Sequence, residues 1–355
     1  MKIGTDFSGI GSPESALKRL GLDIEEVFAC EIDKYARKSF NELHNPNTFY
    51  EDITTRNHSE VPQLDLYVAG FPCQSFSMAG KRGGFEDTRG TLFFNVAEFI
   101  KENQPKCFVL ENVKGLLSHD SGKTYQTITD VLTNGGGTLN GQIGIDTIDN
   151  GLGYHVYAKV LNTKDYGVPQ NRERIFLVGF KEPRDFNFPK KMELRIRLKD
   201  LLEDDVDDKY YLSDKAVFRL LVYPRALPFT DTNSKKVANC LTASYAKQSS
   251  DCEYIISHSL YPRSSSTGKG GSGHLSKSDG TSYCVDTGCS QGVEYKKKIR
   301  RLTPLECWRL QGFTDEQFYK AQKVNSDTQL YKQAGNSITV NVLVELFKKI
   351  YLCKN

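Results

Sequence analysis

Three short stretches carry side chains whose types suit work on a substrate. Gly70-Phe71-Pro72-Cys73-Gln74-Ser75 sets one cysteine directly after a proline. The preceding run, Asp65 to Ala69, reads as a short buried strand, so Cys73 emerges at the carboxyl edge of a sheet, where open α/β folds build their sites. Pro72 fixes its own φ and pushes Phe71 toward extended backbone, which gives the thiol a defined direction. A nucleophile is one reading of such a thiol; an inert core cysteine is the other, and the commoner for a lone cysteine. Glu111 closes the apolar strand Phe108-Val109-Leu110, and Arg172 and Arg174 stand two apart on an extended segment, which turns both to one side. Taken singly, the acid reads equally as a solvated strand end and the arginines as a surface pair.

These residues need a sheet to hold them. From Met1 to about Phe180 short apolar runs alternate with helical periods, the pattern of an α/β fold with a parallel sheet. Strands are expected at Met1 to Thr5, Glu26 to Glu31, Asp65 to Ala69, Cys107 to Leu110, His155 to Leu161 and Ile175 to Phe180. Helical spacing occupies Pro13 to Leu20, Asp33 to Leu43, Thr91 to Glu102 and Tyr125 to Leu132. After Phe180 the texture turns irregular, with Pro183, Pro189, the acidic stretch Glu203 to Asp208 and a Gly/Ser-rich loop from Ser264 to Gly273, so a second domain is expected there. Helical periods return at Pro304 to Leu310 and in the amphipathic stretch Val340 to Tyr351.

A ligand turn follows the first strand. In Asp6-Phe7-Ser8-Gly9-Ile10-Gly11 the two glycines can bring a ligand against backbone, although such a turn is as often purely structural. The dinucleotide fingerprint needs a small residue where Glu14 stands, which disfavours a nicotinamide site. Glu31, at the end of the second strand, can accept from ribose hydroxyls, and Asp52 stands where a purine amine could bind. A turn with two such acids suits an adenosine ligand that has no pyrophosphate.

Composition bounds the setting. A chain of 355 residues, 38% hydrophobic and 26% charged, can fold as one large domain plus a smaller one, and it has no apolar run long enough to cross a bilayer. With no secretory signal pattern at Met1 to Asp6, the cytoplasm is the expected location. Nine cysteines in no regular framework suit free thiols in a reducing compartment. Cys284 and Cys289 lack a second zinc-spaced pair, so no metal is expected. A net charge of +3 says little about polyanionic partners, and the local clusters Lys81, Arg82, Arg89 and Lys296 to Arg301 read first as solvated faces.

Together these motifs resemble the cytosine-C5 DNA methyltransferases, the bacterial and phage modification enzymes that use S-adenosylmethionine, and the likeness runs over nearly the whole chain in the family's order. Phe7-Ser8-Gly9-Ile10-Gly11 resembles the methionine-side cofactor loop and Glu31-Ile32-Asp33 the ribose-binding strand end. Pro72-Cys73-Gln74-Ser75 resembles the nucleophile motif, Glu111-Asn112-Val113 the acid motif and Gln170-Asn171-Arg172-Glu173-Arg174 the arginine motif. Arg301-Leu302-Thr303 through Arg309-Leu310-Gln311-Gly312-Phe313 is similar to the segment joining two lobes, and Gly335-Asn336-Ser337 to the closing cofactor loop. Ser12-Pro13 departs from the glycine many members carry, and Gly135 to Gly153 is expected to be a surface insertion.

The resemblance implies a class I S-adenosylmethionine-dependent, Rossmann-like fold, mostly parallel with helices on both faces, plus a smaller irregular target-recognition domain. It implies a catalytic and cofactor domain over residues 1–183, target recognition over 184–300, a hinge over 301–332 and a returning segment over 333–355. Cofactor contacts fall to Phe7, Gly9, Gly11, Glu31, Ile32, Asp52, Ile53, Pro72, Leu92, Asn336 and Ser337. Cys73 would add to cytosine C6 as a thiolate, Glu111, raised in pKa by burial, would serve N3, and Arg172 and Arg174 would hold O2 and a flanking phosphate. The target base must leave the duplex to reach them. Ser77, Lys81, Arg82, Gln170, Thr242, Ser244 and Lys269 are the expected DNA contacts. The expected partner is double-stranded DNA, bound by a monomer, with a restriction endonuclease as a genetic rather than physical partner and S-adenosylhomocysteine as product. Methylation of transfer RNA on the same scaffold, and a catalytically silent DNA-binding relative, are the alternatives.

Overall fold

The computed structural model describes residues 1–72, 92–133, 151–211, 256–259, 275–277, 281–282, 291–295 and 298–353, with backbone alone for 256–259, 275–277, 291–295 and 298–299. Among them, β1 (Lys2–Asp6), β2 (Glu25–Cys30), β3 (Thr48–Tyr50), β4 (Leu66–Ala69), β5 (Cys107–Val113), β6 (His155–Asn162) and β7 (Glu173–Phe180) form one sheet in the order β3-β2-β1-β4-β5-β7-β6. Strands β1 to β5 pair in parallel. Strand β7 runs against both β5 and β6, so the sheet is mostly, not wholly, parallel.

Alternation along the strands feeds two cores. Leu66 and Val68 join Ile3, Val109, Phe176 and Val178 under α1 (Ser12–Arg19) and α8 (Val340–Phe347). Tyr67 and Ala69 join Phe108, Leu110, Ile175 and Leu177 under α3 (Leu92–Asn103) and α4 (Lys123–Leu132). Helices therefore cover both faces, the condition under which strands read as continuous apolar runs. On the first side α2 (Lys34–Leu43), whose N-terminus Asp33 caps, packs against α6 (Asp315–Gln322).

The reversal of β7 matters for the site. Had β7 run parallel to β5, its first residues would lie at the opposite end of the sheet; running antiparallel, it starts where β5 finishes. Arg174 is thereby registered against Val113 on one side and Leu161 on the other.

Packing in the first core continues past residue 184 and takes in residues of 301–332. Phe186, Leu198 and Tyr210 are buried in the first core, although they follow residue 184. So are Leu302, Leu305, Trp308, Leu310 and Phe318, which belong to the expected hinge; the Trp308 indole donates to the Leu330 carbonyl at 3.0 Å. Helices α5 (Pro304–Arg309), α6 and α7 (Asp327–Asn336) carry this part of the chain. A second sheet, β8 (Ile256–Ser259), β9 (Leu275–Lys277), β10 (Gln291–Tyr295) and β11 (Lys298–Arg301), is antiparallel in the order β11-β10-β8-β9. Arg300, fully buried, returns β11 to the first body through a two-pronged pair with Glu306 at 2.7 and 2.6 Å. Residues 135–150 of the expected insertion lie outside the described residues.

Candidate active site

The chain runs outward from β1 through β2 to β3 and returns to β4 on the other side of β1, and such a switch point opens a crevice at the carboxyl ends of the strands. A cleft stands there, lined by residues 5–10, Ser12, Pro13, Val68, Gly70, Glu111 and residues 336–338. Its floor is the turn after β1, where φ is +54° at Phe7, +57° at Gly9 and +80° at Gly11. Gly11 is doubly required, because a Cβ would also fall 2.2 Å from the His44 ring. A Cβ on Gly9 would face open space, so the missing side chain leaves room for a ligand against backbone. Phe7 holds a left-handed conformation that costs a non-glycine residue energy, which marks the turn as constrained.

Glu31 braces this turn. Its carboxylate accepts from the Gly9 amide at 2.9 Å and from the Asp33 amide at 2.8 Å. Burial raises its pKa while those two amides oppose the rise. Two amide bonds leave a carboxylate further acceptor capacity, as ribose hydroxyls require. Beside it Ile32 is 74% exposed, an apolar side chain left in solvent at the mouth of the turn. Asp33 is ion-paired with Lys332, which ties α7 to the same edge. An adenosyl ligand without pyrophosphate fits this set.

Across the cleft, Glu111 at the end of β5 meets Arg174 at the start of β7, with Nε 3.1 Å from Oε1. The two occupy diagonal positions on one face of an antiparallel pair, within reach for long side chains. Both side chains are largely buried, at 11% and 18% exposure, so the pair is poorly screened. The carboxyl is thus held by an ion pair as well as by burial, whereas the sequence suggested burial alone. Asn112 donates to the Phe71 carbonyl at 3.0 Å and so fixes the chain two residues before Cys73.

Other expected site residues divide. Phe7, Gly9, Glu111, Asn336 and Ser337 line the cleft together. Arg172 reaches it differently from Arg174: it is 3% exposed and donates to the carbonyls of Gly335 at 3.1 Å and Ser337 at 2.9 Å, pinning the closing loop. Gln170, expected among the DNA contacts, is fully buried and donates to the Leu310 carbonyl at 2.6 Å, joining two core segments. Asp52 caps its own turn through Thr54, and Ile53 is packed in the second core. Pro72 is exposed and Leu92 half-buried, neither of them in the cleft lining. Cys73, Ser77, Lys81, Arg82, Thr242, Ser244 and Lys269 lie outside the described residues.

Buried polar groups beneath the turn carry no sequence pattern that announces them. Asp6 takes two bonds from Arg56, at 2.6 and 2.7 Å, and a third from the Tyr67 hydroxyl at 2.5 Å. The Arg56 guanidinium lies between the Phe28 and Phe99 rings, 4.4 Å from each centroid. Glu14, 1% exposed, accepts from Thr5 at 2.8 Å, and burial pushes its pKa up to about 7. The position that argues against a dinucleotide thus serves as a buried brace.

Comparison with known proteins agrees with this geometry. The "Type II methyltransferase M.NgoBI" of Neisseria gonorrhoeae is 38% identical over 348 residues, which covers 97% of this chain and 90% of that protein. The "Orphan methyltransferase M.SPRI" of Bacillus phage SPR is 36% identical over 446 aligned positions, covering 99% and 97%. The crystal structure of S. pombe Dnmt2 methyltransferase shares the fold with a TM-score of 0.64 at 17% identity, over 98% of this chain and 97% of that one. Residues 1–352 match the family described as C-5 cytosine-specific DNA methylase. A match of that reach takes in both the turn at Gly9 and the helix closing the cleft, and the chain belongs to this family as a DNA (cytosine-5) methyltransferase.

Proposed function

We propose that the chain methylates C5 of a cytosine turned out of a specific double-stranded DNA sequence, using S-adenosylmethionine and a transient bond between Cys73 and C6. One observation carries this: the Glu111–Arg174 pair stands at the sheet edge where β4 ends, across one cleft from the Gly9 turn. S-adenosylmethionine, when bound, supplies an electrophilic methyl group. The backbone at Gly9, the Glu31 carboxylate, the apolar Ile32 and the wall at Asn336 and Ser337 would hold it. Cys73, as thiolate, adds to C6 and makes C5 nucleophilic. Glu111 serves N3 at the Watson–Crick edge, while Arg174 orients Glu111 and holds O2. Once C5 bears its methyl and gives its proton to water, Cys73 leaves and the ring regains aromaticity. Arg172 positions the closing loop. Residues 212–299 are assigned to reading the DNA sequence, since the flanking segments belong to the first core.

Incubation with DNA or RNA containing 5-fluorocytosine tests the assignment, because fluorine at C5 prevents release of Cys73. A denaturation-resistant adduct with DNA, lost in Cys73→Ser, is expected. Trapping with RNA alone would transfer the activity to transfer RNA, and no adduct with either polymer would leave a binding protein.

A further inference from the structure

Strand β6 is the open edge of the large sheet, and a groove runs along its outer side between the strand and the extended chain at 188–191. Four lysines line it: Lys159, Lys164, Lys190 and Lys191. Its two carboxylates are already committed, Asp165 to Lys191 at 2.9 Å and Glu173 to Lys114 at 2.9 Å. Among the described residues no carboxylate pairs with Lys159, Lys164 or Lys190, so the groove is left with unbalanced positive charge. The groove is also held in shape. Tyr166 donates to the Pro189 carbonyl at 3.1 Å, the Met192 amide donates to the Asp165 carbonyl at 2.9 Å, and the Lys159 ammonium lies 5.9 Å from the Phe188 ring.

Its position relative to the cleft decides what it fits. Glu173 on its rim sits between Arg172 and Arg174, and the register pairs it with Asn162 of β6. From Asn162 back to Lys159 the strand spans about 10 Å. A DNA strand carries one phosphate charge for about every 3.4 Å of helix axis, so a groove with three cations unmatched by carboxylates complements a short length of its backbone. We infer that this groove holds the phosphate backbone of the substrate duplex beside the extruded cytosine, outside the cleft lined by the Gly9 turn and Glu111. The inference rests on the proposed action on duplex DNA.

Salt-dependent binding tests it, in full-length protein that also carries Cys73→Ser so that turnover plays no part. Lys159, Lys164 and Lys190 are changed together to alanine, and affinity for long and short duplexes is measured across a potassium chloride series. The plot of log affinity against log salt should become shallower by about 2 to 3, with the loss greater on the long duplex. An unchanged slope overturns the inference. So does loss of polyglutamate binding in the triple variant with DNA affinity unchanged, which would assign the groove to an acidic protein. Failure of the proposed function shows separately, as absent 5-fluorocytosine trapping by a chain with all three lysines intact.

Discussion

Arg56 grips Asp6 with both guanidinium nitrogens directly beneath the turn that floors the cleft, and both side chains are wholly shielded from solvent. Removing one partner leaves the other charge buried and alone. Arg56→Ala should therefore cost about 3 to 5 kcal/mol, measured by urea denaturation, and should weaken S-adenosylmethionine binding because Asp6 lines the cleft. The double change Asp6→Leu with Arg56→Met removes both charges and should recover most of that stability. Equal losses in the single and double variants would show that the pair is not what holds the turn.

The two arginines of the arginine motif should fail differently. Arg174→Lys keeps a cation but loses the guanidinium Nε that meets Glu111, so kcat should fall about 100- to 1,000-fold with methyl-donor affinity unchanged. Arg172→Lys loosens the loop at Gly335 and Ser337 and should raise KM for the methyl donor. Identical profiles for the two variants would mean that both touch the base.

Glu14 and His44 set opposing pH dependences. The Glu14 carboxyl, at about 7 in the fold against an ordinary 4.5, holds a proton that the unfolded chain has lost, so stability from this group falls as pH rises from 4.5 to 7. His44, held by burial at about 3 against an ordinary 6.5, stays neutral in the fold, so its stability is lost as pH falls from 6.5 to 3. Between 4.5 and 6.5 the two offset one another. Glu14→Gln should therefore gain on the unaltered protein by about 1.4 kcal/mol per pH unit up to pH 7 and by nothing more above it. Guanidinium melts over this range check it; a pH-independent difference would contradict the burial of a protonated acid.

Gln170→Ala should behave as a core substitution. Loss of the bond to Leu310 leaves a buried carbonyl short of a donor and should cost about 1 to 3 kcal/mol, with the salt dependence of DNA binding unaltered. A changed salt slope in binding assays would return Gln170 to the DNA surface.

Sheet and site were legible to different depths. The six strands read from the sequence appear at their expected places; five of them are largely buried and leave continuous apolar runs, while β6 is a partly exposed edge strand. Strand β3, three residues long and half-exposed, and helices α6 and α7 lack that signal. Direction was invisible: nothing in Arg174-Ile175-Phe176-Leu177 tells an antiparallel strand from a parallel one, yet direction is what carries Arg174 to Glu111. Motif order pointed to Glu111 and the Gly9 turn, which line one cleft in the fold. The same likeness gave no sign of the burial of Gln170 or of its bond to Leu310, because a polar residue inside a motif can serve packing as readily as recognition. Asp6 and Arg56, fifty positions apart, were beyond reach, as pairing across that distance exists only after β1 and the loop following β3 have folded together.

Arg172's hold on the carbonyls of Gly335 and Ser337 has a bearing on synthesis. One wall of the cleft is made by residues that leave the ribosome more than 150 positions after the guanidinium that anchors them. A nascent polypeptide can build the turn at Gly9 and the Glu111–Arg174 pair and still lack the wall at Asn336 and Ser337. The cleft is thus completed late, with the last helices, and a half-made molecule has no finished chamber.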